Sequence, residues 1–402
     1  MNILFVHNNF PAQFRHVVAA LLAAGRHRIA AICTKEASVP RGVQVERYEP
    51  PQGVAAHIFA RRFDSECRRA EQVLYAAARL KAAGFLPDII VAHSGWGETL
   101  PLREVFPPAK IIIYSEFYYR SRGQDVGFDP EFPEYGVDGR VSLTIKNASQ
   151  LLALADADVG VSPTHWQRST YPVEFQSKIQ VIHEGIDTRR VAPSAAAMFR
   201  LAPDHVLTVK DEVVTYVARN LEPMRGIHSF LRALPRLLEK RPKVQVVVVG
   251  GDGVSYGAAV EPPFRSWRAR FWPEVAGQVD ARRVHFVGQI SYERYLSLLQ
   301  LSSVHIYLTY PFVLSWSLLE AMSAGCAVVA SDTAPVREVV SSDGGRLVSF
   351  FEPVEIADKV SDLLQSRVDL NNMQRASRDI IIRSYDMSTK CRPQFMSLLE
   401  SI

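Results

Sequence analysis

Short runs of apolar, often β-branched residues alternate with helical patterns along nearly the whole chain, and this alternation restricts the fold more than any other feature. Continuous apolar runs bounded by turn residues are typical of strands that helices cover on both faces of a parallel sheet. In the first half the runs lie at 3–6, 29–33, 89–92, 111–114 and 159–161. In the second half they lie at 213–217, 244–249, 284–287, 304–308 and 327–330. The pattern predicts an α/β protein with two Rossmann-like domains, each built on a doubly wound parallel sheet.

The length of 402 residues also favours two domains, because a single hydrophobic core seldom grows beyond about 250–300 residues. The apolar periodicity lapses at 185–211, where charged residues and proline are typical of a linker or hinge. We therefore expect an N-terminal domain at 1–190 and a C-terminal domain at 191–375. Residues 376–402 should form a C-terminal helix that packs back toward the N-terminal domain.

Composition excludes several classes of protein. The formal charge of +4 comes without a basic stripe, so nothing indicates a nucleic-acid partner. The four cysteines lie far apart, without the paired spacing of zinc sites or disulfide frameworks. The N-terminus lacks the pattern of a signal peptide, and no apolar run approaches the roughly 20 residues that span a bilayer. We expect a cytoplasmic protein without a transmembrane segment; peripheral contact with a membrane stays open.

The first candidate site lies at 217–226, where a strand ends and a helix begins near Ile227. Arg219 and Arg225, together with the amides at the helix start, could hold a diphosphate and stabilise negative charge during catalysis, because guanidinium groups and helix N-termini both favour phosphate. The alternative is a pair of surface arginines.

After the strand at 244–249, a turn with Gly250 and Gly251 would let a ligand approach the backbone, although such turns also occur without a ligand.

A second candidate site is a loop that enters a short helix ending at Gly325. Glu320 lies about one turn into this helix, where its carboxylate could accept the two vicinal hydroxyls of a ribose. Ser315 and the helix-start amides of Trp316 and Ser317 would face phosphate or sugar. The alternative is a capping box, since Ser317 and Glu320 have the spacing with which a glutamate caps its own helix.

In the N-terminal half, His93 and Glu116 each follow a predicted strand and should reach the same edge of the sheet, where they would line a cleft. They are our candidate catalytic residues there, against the alternatives of a structural histidine and a solvated glutamate.

Asp156 and Asp158 have the spacing of a metal-binding pair but precede a strand instead of following one. We expect no metal site.

Together these motifs resemble the family-4 retaining glycosyltransferases, whose GT-B fold has a cleft between two Rossmann-like domains. The resemblance covers nearly the whole chain and is strongest in the C-terminal half. Its markers are the segments 182–187, 219–226, 285–288 and 317–332.

The resemblance implies transfer of a sugar from a nucleoside diphosphate sugar to a hydroxyl of a glycan, glycolipid or protein acceptor, in bacterial-type glycan or polysaccharide biosynthesis. It also implies retention of the anomeric configuration, without a metal and with no cofactor besides the donor. Arg219 and Arg225 match the family's basic pair on the diphosphate. Glu320 matches the second glutamate of its Glu-x7-Glu motif, which holds the ribose, and Ser315 stands where family glycines contact sugar or phosphate. The loops that would flank the nucleotide contain Gly250, Gly251 and Val287.

The chain departs from the family pattern at several positions. Phe312 stands where the motif has its first glutamate, and Ala12 with Gln13 replaces a glycine pair. Arg225 replaces the usual lysine and keeps its charge. Glu116 stands in the loop where many relatives have a sugar-contacting histidine, and could take over that contact. Phe312 and the Ala12–Gln13 pair leave open a binding protein for nucleotide sugars that has lost turnover. A nucleotide-sugar epimerase, which would use a similar fold, is a second alternative.

Overall fold

A computed structural model describes residues 1–49, 52–53 and 57–402, which form two compact units. The N-terminal unit comprises Met1–Gly185 and Met387–Ile402, and the C-terminal unit comprises Ile186–Asp386. The first division thus falls shortly before the expected boundary at 190. The chain returns to the N-terminal unit later than the expected start at 376, because the helix Arg367–Ser384 packs on elements of the C-terminal unit.

The N-terminal unit is built on a parallel sheet whose strand order is β3-β2-β1-β4-β5-β6-β7 among the described residues. The strands are β1 (Asn2–Val6), β2 (Arg28–Thr34), β3 (Gln44–Tyr48), β4 (Ile89–His93), β5 (Lys110–Tyr114), β6 (Val159–Ser162) and β7 (Ile179–Val181). The helices are α1 (Arg15–Ala24), α2 (Arg61–Ala82), α3 (Leu102–Val105), α4 (Val137–Ile145), α5 (Ala148–Asp156), α6 (His165–Thr170) and α7 (Val173–Gln176). Because side chains alternate along a strand, Leu4 and Val6 join one core cluster, while Ile3 and Phe5 join another on the opposite face.

The C-terminal unit repeats this architecture in a parallel sheet of order β12-β11-β10-β13-β14-β15, with a separate antiparallel pair, β8 and β9. Its strands are β8 (Met198–Ala202), β9 (His205–Thr208), β10 (Val213–Asn220), β11 (Gln245–Gly251), β12 (Val284–Gly288), β13 (Val304–Tyr307), β14 (Ala327–Ser331) and β15 (Gly345–Val348). Its helices are α8 (Ile227–Lys240), α9 (Trp267–Val275), α10 (Tyr292–Leu301), α11 (Trp316–Ser323), α12 (Ala334–Arg337), α13 (Pro353–Gln365) and α14 (Arg367–Ser384). All ten predicted strands are confirmed, and with them the fold class of two parallel-sheet α/β domains.

The predicted linker at 185–211 was wrong in part, because this segment contains the hairpin β8–β9 and belongs to the C-terminal unit from Ile186 onward. Phe199 and Leu207 face each other across the hairpin and are buried in a core cluster with Leu298 of α10. The polar turn residues hid this short pair from the sequence pattern.

The chain ends with α15 (Arg392–Ser401), whose Phe395, Leu398 and Leu399 join the core cluster of the N-terminal unit that contains Ile3. A helix at the C-terminus therefore packs on the N-terminal unit. Among the described residues, no helix is both long and apolar enough to cross a membrane.

Both parallel sheets reverse their direction of winding beside their first strand, between β1 and β4 in one unit and between β10 and β13 in the other. Loops that follow the strands on either side of such a point run apart and leave a crevice, which is where ligands bind in sheets of this type. The fold therefore directs attention to the loops after β1, β4, β10 and β13.

Candidate functional site

The C-terminal unit holds a pocket of about 490 Å³ at the carboxyl ends of β10, β11 and β13. We call it the C-terminal pocket. The predicted site residues that line it are Arg219, Arg225, Gly250, Ser315 and Ser317. The structure thus brings the two candidate loops of this half together at the predicted edge of the sheet.

Arg225 is buried, with only 8% of its surface exposed, in the single turn that connects β10 to α8. Its Nη1 donates to Oγ1 of Thr309 at 2.7 Å and to the hydroxyl of Tyr307 at 3.2 Å. Its guanidinium carbon lies 5.3 Å from the ring centroid of Tyr256. No carboxylate in the described part of the chain pairs with this guanidinium, so an anion in the pocket would offset the free energy of burying it.

Arg219 lies near the end of β10, where its exposed side chain lines the same pocket. Its backbone carbonyl accepts a hydrogen bond from Nε2 of Gln289 at 3.4 Å, but within the described ranges no ion pair involves its side chain. The pocket therefore presents two cations without a carboxylate partner among these residues.

The start of α11 faces the same space. Ser315 caps the helix, because its Oγ accepts a hydrogen bond from the Ser317 N–H at 3.3 Å. The Ser315 N–H in turn donates to the hydroxyl of Tyr307 at 3.0 Å. The positive end of the helix dipole at this position favours an anion. Trp316, the first residue of the helix, is not among the described residues that line the pocket.

Glu320 is buried in α11, and both of its carboxylate oxygens accept hydrogen bonds from tyrosines of α10. The Tyr292 hydroxyl donates to Oε1 at 2.8 Å, and the Tyr295 hydroxyl donates to Oε2 at 2.9 Å. Burial and the Glu320 carboxylate raise the pKa of Tyr295 well above its usual value. Both tyrosine rings line the pocket, so they connect Glu320 with it.

The capping-box alternative for Glu320 was wrong. Ser315, not Ser317, occupies the cap position of α11, and Ser317 already lies inside the helix. Glu320 therefore stands beyond the third helical position, at which a capping box requires its glutamate.

Gly250 and Gly251 are the last two residues of β11 and do not form the turn predicted after the strand, and packing requires both of them. Gly250 has a φ of +157°, and a Cβ there would lie 2.8 Å from the carbonyl oxygen of Ala218. A Cβ on Gly251 would lie 2.5 Å from Oδ1 of Asn220. Gly250 lines the pocket, whereas Gly251 and Val287 are not among its described lining residues. These glycines let the ends of β10 and β11 approach each other, whether or not a ligand binds.

Phe312, at the position of the expected first glutamate, is buried with its ring centroid 5.3 Å from that of Tyr256. An aromatic pair thus occupies the place where the family resemblance implied a carboxylate. Tyr256 belongs to this pair and also lines the C-terminal pocket.

His93 and Glu116 lie together in the N-terminal unit, where they line a pocket of about 60 Å³ that we call the N-terminal pocket. Strands β4 and β5 are adjacent, and His93 is opposite Tyr114 in their register. Nε2 of His93 lies 3.8 Å from a carboxylate oxygen of Glu116. The expectation that both residues reach one sheet edge is confirmed, while their catalytic role stays a prediction.

The contacts of His93 determine the tautomer and the protonation state of its imidazole. Its Nδ1 accepts a hydrogen bond from the Gly95 N–H at 2.9 Å, which places the proton of the neutral ring on Nε2, toward Glu116. Burial, together with His7, lowers the pKa of His93 well below 6.5. The imidazole also stacks on Trp96, with ring centroids 4.2 Å apart. His93 is therefore a rigid neutral donor near neutral pH.

Ala12 and Gln13, which replace the expected glycine pair, lie in a single helical turn that precedes α1. Ala12 has a φ of +39°, a conformation that glycine adopts more readily than alanine. The backbone here thus keeps a glycine-like shape although the residue is alanine.

Several residues of the two pockets were not predicted. They include Tyr256, Gln289, Tyr292, Tyr295 and Tyr307 in the C-terminal pocket, and Arg62, Trp96, Tyr119 and Lys146 in the N-terminal pocket. Tyr292 and Tyr295 follow the end of β12 at a helical spacing, and this position after a strand was the one available signal. The other unpredicted residues reach the pockets through contacts between elements that are distant in sequence, and no local pattern indicates such contacts.

Two family models match the chain in tandem. The model described as Glycosyl transferase family 4 group matches residues 25–191, and the model described as Glycosyl transferases group 1 matches residues 200–380.

Curated relatives match parts of the chain. A phosphatidyl-myo-inositol mannosyltransferase of Mycolicibacterium smegmatis is 34% identical over 38% of this chain and 34% of its own length. A D-inositol 3-phosphate glycosyltransferase of Streptomyces scabiei is 26% identical over 58% of this chain and 50% of its own length. The chain thus spans about a third to a half of the length of these relatives.

Solved structures match over the full length. Sucrose-phosphate synthase of Thermosynechococcus elongatus has a TM-score of 0.73 at 16% identity and covers 100% of this chain and 98% of its own. Anabaena HepE, solved in complex with UDP and glucose, has a TM-score of 0.68 at 17% identity and covers 100% of both chains. A trehalose-6-phosphate protein of Escherichia coli, solved with UDP-2-fluoro glucose, has a TM-score of 0.70 at 15% identity and covers 100% of this chain and 99% of its own. At these identities the likeness concerns the fold.

Proposed function

Because the chain belongs to the family-4 glycosyltransferases, a family of glycosyl transfer enzymes with the GT-B fold, we propose that it moves a sugar from a nucleoside diphosphate sugar to an acceptor hydroxyl. The observation that carries this proposal is the C-terminal pocket. There Arg219 and the buried Arg225 meet the start of α11, and no carboxylate of the described residues neutralises them. A diphosphate matches two guanidinium groups and a helix N-terminus in both charge and size.

The rest of the donor would extend from the diphosphate toward α10. We propose that Glu320 accepts hydrogen bonds from the ribose hydroxyls beside those it accepts from Tyr292 and Tyr295, because each carboxylate oxygen can accept more than one. Anabaena HepE was solved with UDP and glucose, and the E. coli trehalose-6-phosphate protein with UDP-2-fluoro glucose. UDP sugars are therefore the first donors to test.

The acceptor hydroxyl is proposed to bind in the N-terminal pocket, beside Glu116 and His93. Glu116 can accept a hydrogen bond from a hydroxyl, and Nε2 of neutral His93 can donate one. The names of two relatives contain inositol, which supports a polyol hydroxyl as the acceptor.

In the proposed transfer, the bond between the anomeric carbon and the diphosphate oxygen breaks, and a bond forms between that carbon and the acceptor oxygen. The acceptor proton passes to the leaving diphosphate, and the new bond forms on the face that the diphosphate leaves, so the configuration is retained. Negative charge grows on the diphosphate as the first bond breaks. Arg219 and Arg225 would stabilise this charge where it develops.

We further propose that the transfer needs no metal ion, because the two guanidinium groups supply the charge stabilisation that a divalent cation gives in other enzymes. Asp158, whose spacing with Asp156 suggested a metal pair, instead accepts hydrogen bonds from Arg103 at 2.8 Å and from the Ile111 N–H at 2.9 Å.

The experiment incubates the protein with UDP-, GDP-, ADP- and TDP-linked sugars and a panel of polyol acceptors, in the presence of EDTA. We expect one donor to release its nucleoside diphosphate in an acceptor-dependent way, with the product anomer retained by NMR. Arg225→Met should lower kcat/KM at least 100-fold, as loss of one preorganised charge does at other sites. Dependence on added Mg²⁺ would contradict the metal-free transfer, and an inverted product would contradict retention.

A second candidate function is favoured by the buried aromatic pair of Phe312 and Tyr256. If this pair replaces a catalytic contact with the donor sugar, the protein would bind the nucleotide sugar without transferring it. Tight donor binding with neither transfer nor hydrolysis across the whole panel would select this function.

A further inference from the structure

The N-terminal pocket contains an ammonium group that nothing in the proposed donor chemistry uses. Lys146 follows α4, and its Nζ lies 3.4 Å from the ring centroid of Tyr119. In the described part of the chain, Nζ has neither a hydrogen-bond acceptor nor a carboxylate within ion-pair distance. A partly buried cation held only by an aromatic face retains donors that an anion can occupy.

A second cation, Arg62, lines the same pocket. Its guanidinium is paired with the buried carboxylate of Glu66 and donates to the carbonyl oxygen of Gly95 at 2.7 Å. Burial and the repulsion from Arg62 lower the pKa of Lys146 to about 8, although the carboxyls of Asp125 and Glu66 act in the opposite direction. The positive charge at this end of the pocket is therefore only partly neutralised by its surroundings.

The remaining wall of the pocket has a different chemistry. Glu116 offers an acceptor, His93 offers a neutral N–H, and the two groups lie 3.8 Å apart. A ligand that matches both walls carries a hydroxyl on one side and an anionic group on the other. The volume of about 60 Å³ leaves room for a small group of this kind.

We propose that the N-terminal pocket selects an acceptor that carries a phosphate group beside the hydroxyl that receives the sugar, with Lys146 as its principal contact and Arg62 beside it. This inference rests on the proposed function for the identity of the pocket as the acceptor site. Lysine binds phosphate as a compact charge, and such charge-assisted hydrogen bonds are stronger than those to neutral groups. The phosphate could belong to a soluble polyol phosphate or to a lipid head group.

Trp96 stacks on His93 and lines the pocket, so its fluorescence reports binding there without any need for turnover. The full chain is titrated with myo-inositol and myo-inositol 1-phosphate, with glucose and glucose 6-phosphate, and with vesicles of phosphatidylinositol or of phosphatidylcholine. The same titrations of Trp96→Phe isolate the signal of this tryptophan. We expect at least one phosphorylated polyol to bind about tenfold or more tightly than its unphosphorylated counterpart, or anionic phosphatidylinositol vesicles to bind about tenfold or more tightly than zwitterionic phosphatidylcholine vesicles.

The variants are chosen to separate charge from packing. Lys146→Met should remove most of the preference for phosphate, and Lys146→Arg should restore much of it. Lys35→Met is the matched control, because Lys35 is exposed, pairs with Glu49 and lies outside the pocket. Preference for soluble phosphates alone identifies a soluble acceptor, and preference for phosphatidylinositol vesicles identifies a lipid.

Equal binding by the wild type of the members of both soluble pairs and of both kinds of vesicle would overturn the inference, as would a preference that survives in Lys146→Met. Nucleotide binding in the C-terminal pocket, measured on the same preparation by thermal shift, tests the proposed function separately. If a nucleotide binds and the phosphate preference is absent, only the present inference fails; if no nucleotide binds, the proposed function itself fails.

Discussion

Arg225 and Lys146 have similar surroundings in the two units. Arg225 is buried and Lys146 is partly buried, and each has an aromatic ring near its charge: Tyr256 for Arg225 and Tyr119 for Lys146. Neither is paired with a carboxylate within the part of the chain that the structure describes. Since burying an unpaired charge costs free energy, such positions are typical of sites that bind an anion.

The hydroxyl of Tyr295 should contribute to the affinity for the donor nucleotide. Tyr295→Phe removes the hydrogen bond to Oε2 of Glu320 and so loosens the carboxylate that we expect to hold the ribose. We expect the affinity for the donor nucleotide to fall about 3- to 10-fold, and the ratio of affinities for the ribose and 2′-deoxyribose forms to fall with it. Calorimetric titration with UDP and dUDP, and with GDP and dGDP, measures both quantities.

The matched control is Tyr75→Phe, which removes a tyrosine–glutamate hydrogen bond on the exposed surface of α2. It should leave both quantities unchanged. If Tyr295→Phe keeps the wild-type ratio, Tyr295 supports packing but does not orient Glu320 for the ribose.

Among the elements, the loops after the central strands carry most of the candidate chemistry. Arg219 lies near the end of β10 and Arg225 follows that strand, His93 ends β4, and Glu116 follows β5. The sequence could predict these positions because buried parallel strands have a strong apolar pattern. Besides the hairpin β8–β9, it missed β3, β7 and β15, where polar or exposed residues interrupt the pattern, as in Gln44 at the start of β3.

The turn before α1 should accept glycine at position 12 without loss of stability. Ala12→Gly relieves the unfavourable φ of +39° but also frees the unfolded chain, so we expect a stability change from neutral to about 1 kcal/mol favourable. Ala19→Gly, at an exposed position inside α1, should instead cost about 1 kcal/mol. Thermal melting of both variants beside the wild type makes the comparison. A loss for Ala12→Gly as large as that for Ala19→Gly would show that the turn stores no strain.

In the whole molecule, pH should act on stability through Glu98. This carboxyl is fully buried and accepts a hydrogen bond from Tyr48, and burial raises its pKa to about 7. In the unfolded chain, Glu98 loses its proton near pH 4.5, well below the pKa in the folded protein. The stabilisation that Glu98 gives to the folded protein is therefore complete below pH 4.5 and is lost as the pH rises through about 7. The amide of Glu98→Gln cannot ionise, so this variant should not show this loss of stability.

We compare the free energies of unfolding of Glu98→Gln and of the wild type. The difference, variant minus wild type, should rise between pH 5 and pH 8 by an amount on the order of a few kcal/mol. Melting curves of both proteins across this range give the difference and cancel the contributions of other groups. A difference that does not change with pH would mean that Glu98 is ionised throughout and stabilised by charges such as that of Arg69.

The sequence was sufficient for the fold, the family and the positions of the main charged side chains, and insufficient for their environments. It could not distinguish Arg225, which is buried, from Arg219, which is exposed, because burial depends on the loop after β13. It left the role of Glu320 open between a ribose ligand and a helix cap. Only the packing of α10 against α11 placed Tyr292 and Tyr295 on its carboxylate.

The proposed function requires the C-terminal pocket to bind the diphosphate of a nucleotide. The most direct test is calorimetric titration of the full chain with UDP, GDP, ADP and TDP, and with the nucleoside of whichever binds. The variants are Arg225→Met, the exposed Arg219→Met, and Arg282→Met as a control on the same unit but outside the pocket.

We predict that one nucleoside diphosphate binds the wild type and the Arg282→Met control equally, and binds Arg219→Met and Arg225→Met about tenfold or more weakly. The nucleoside without phosphates should bind all four proteins alike. If no nucleotide binds, or if both pocket variants keep the wild-type affinity, the two arginines do not form a diphosphate site and this pocket is not the donor site.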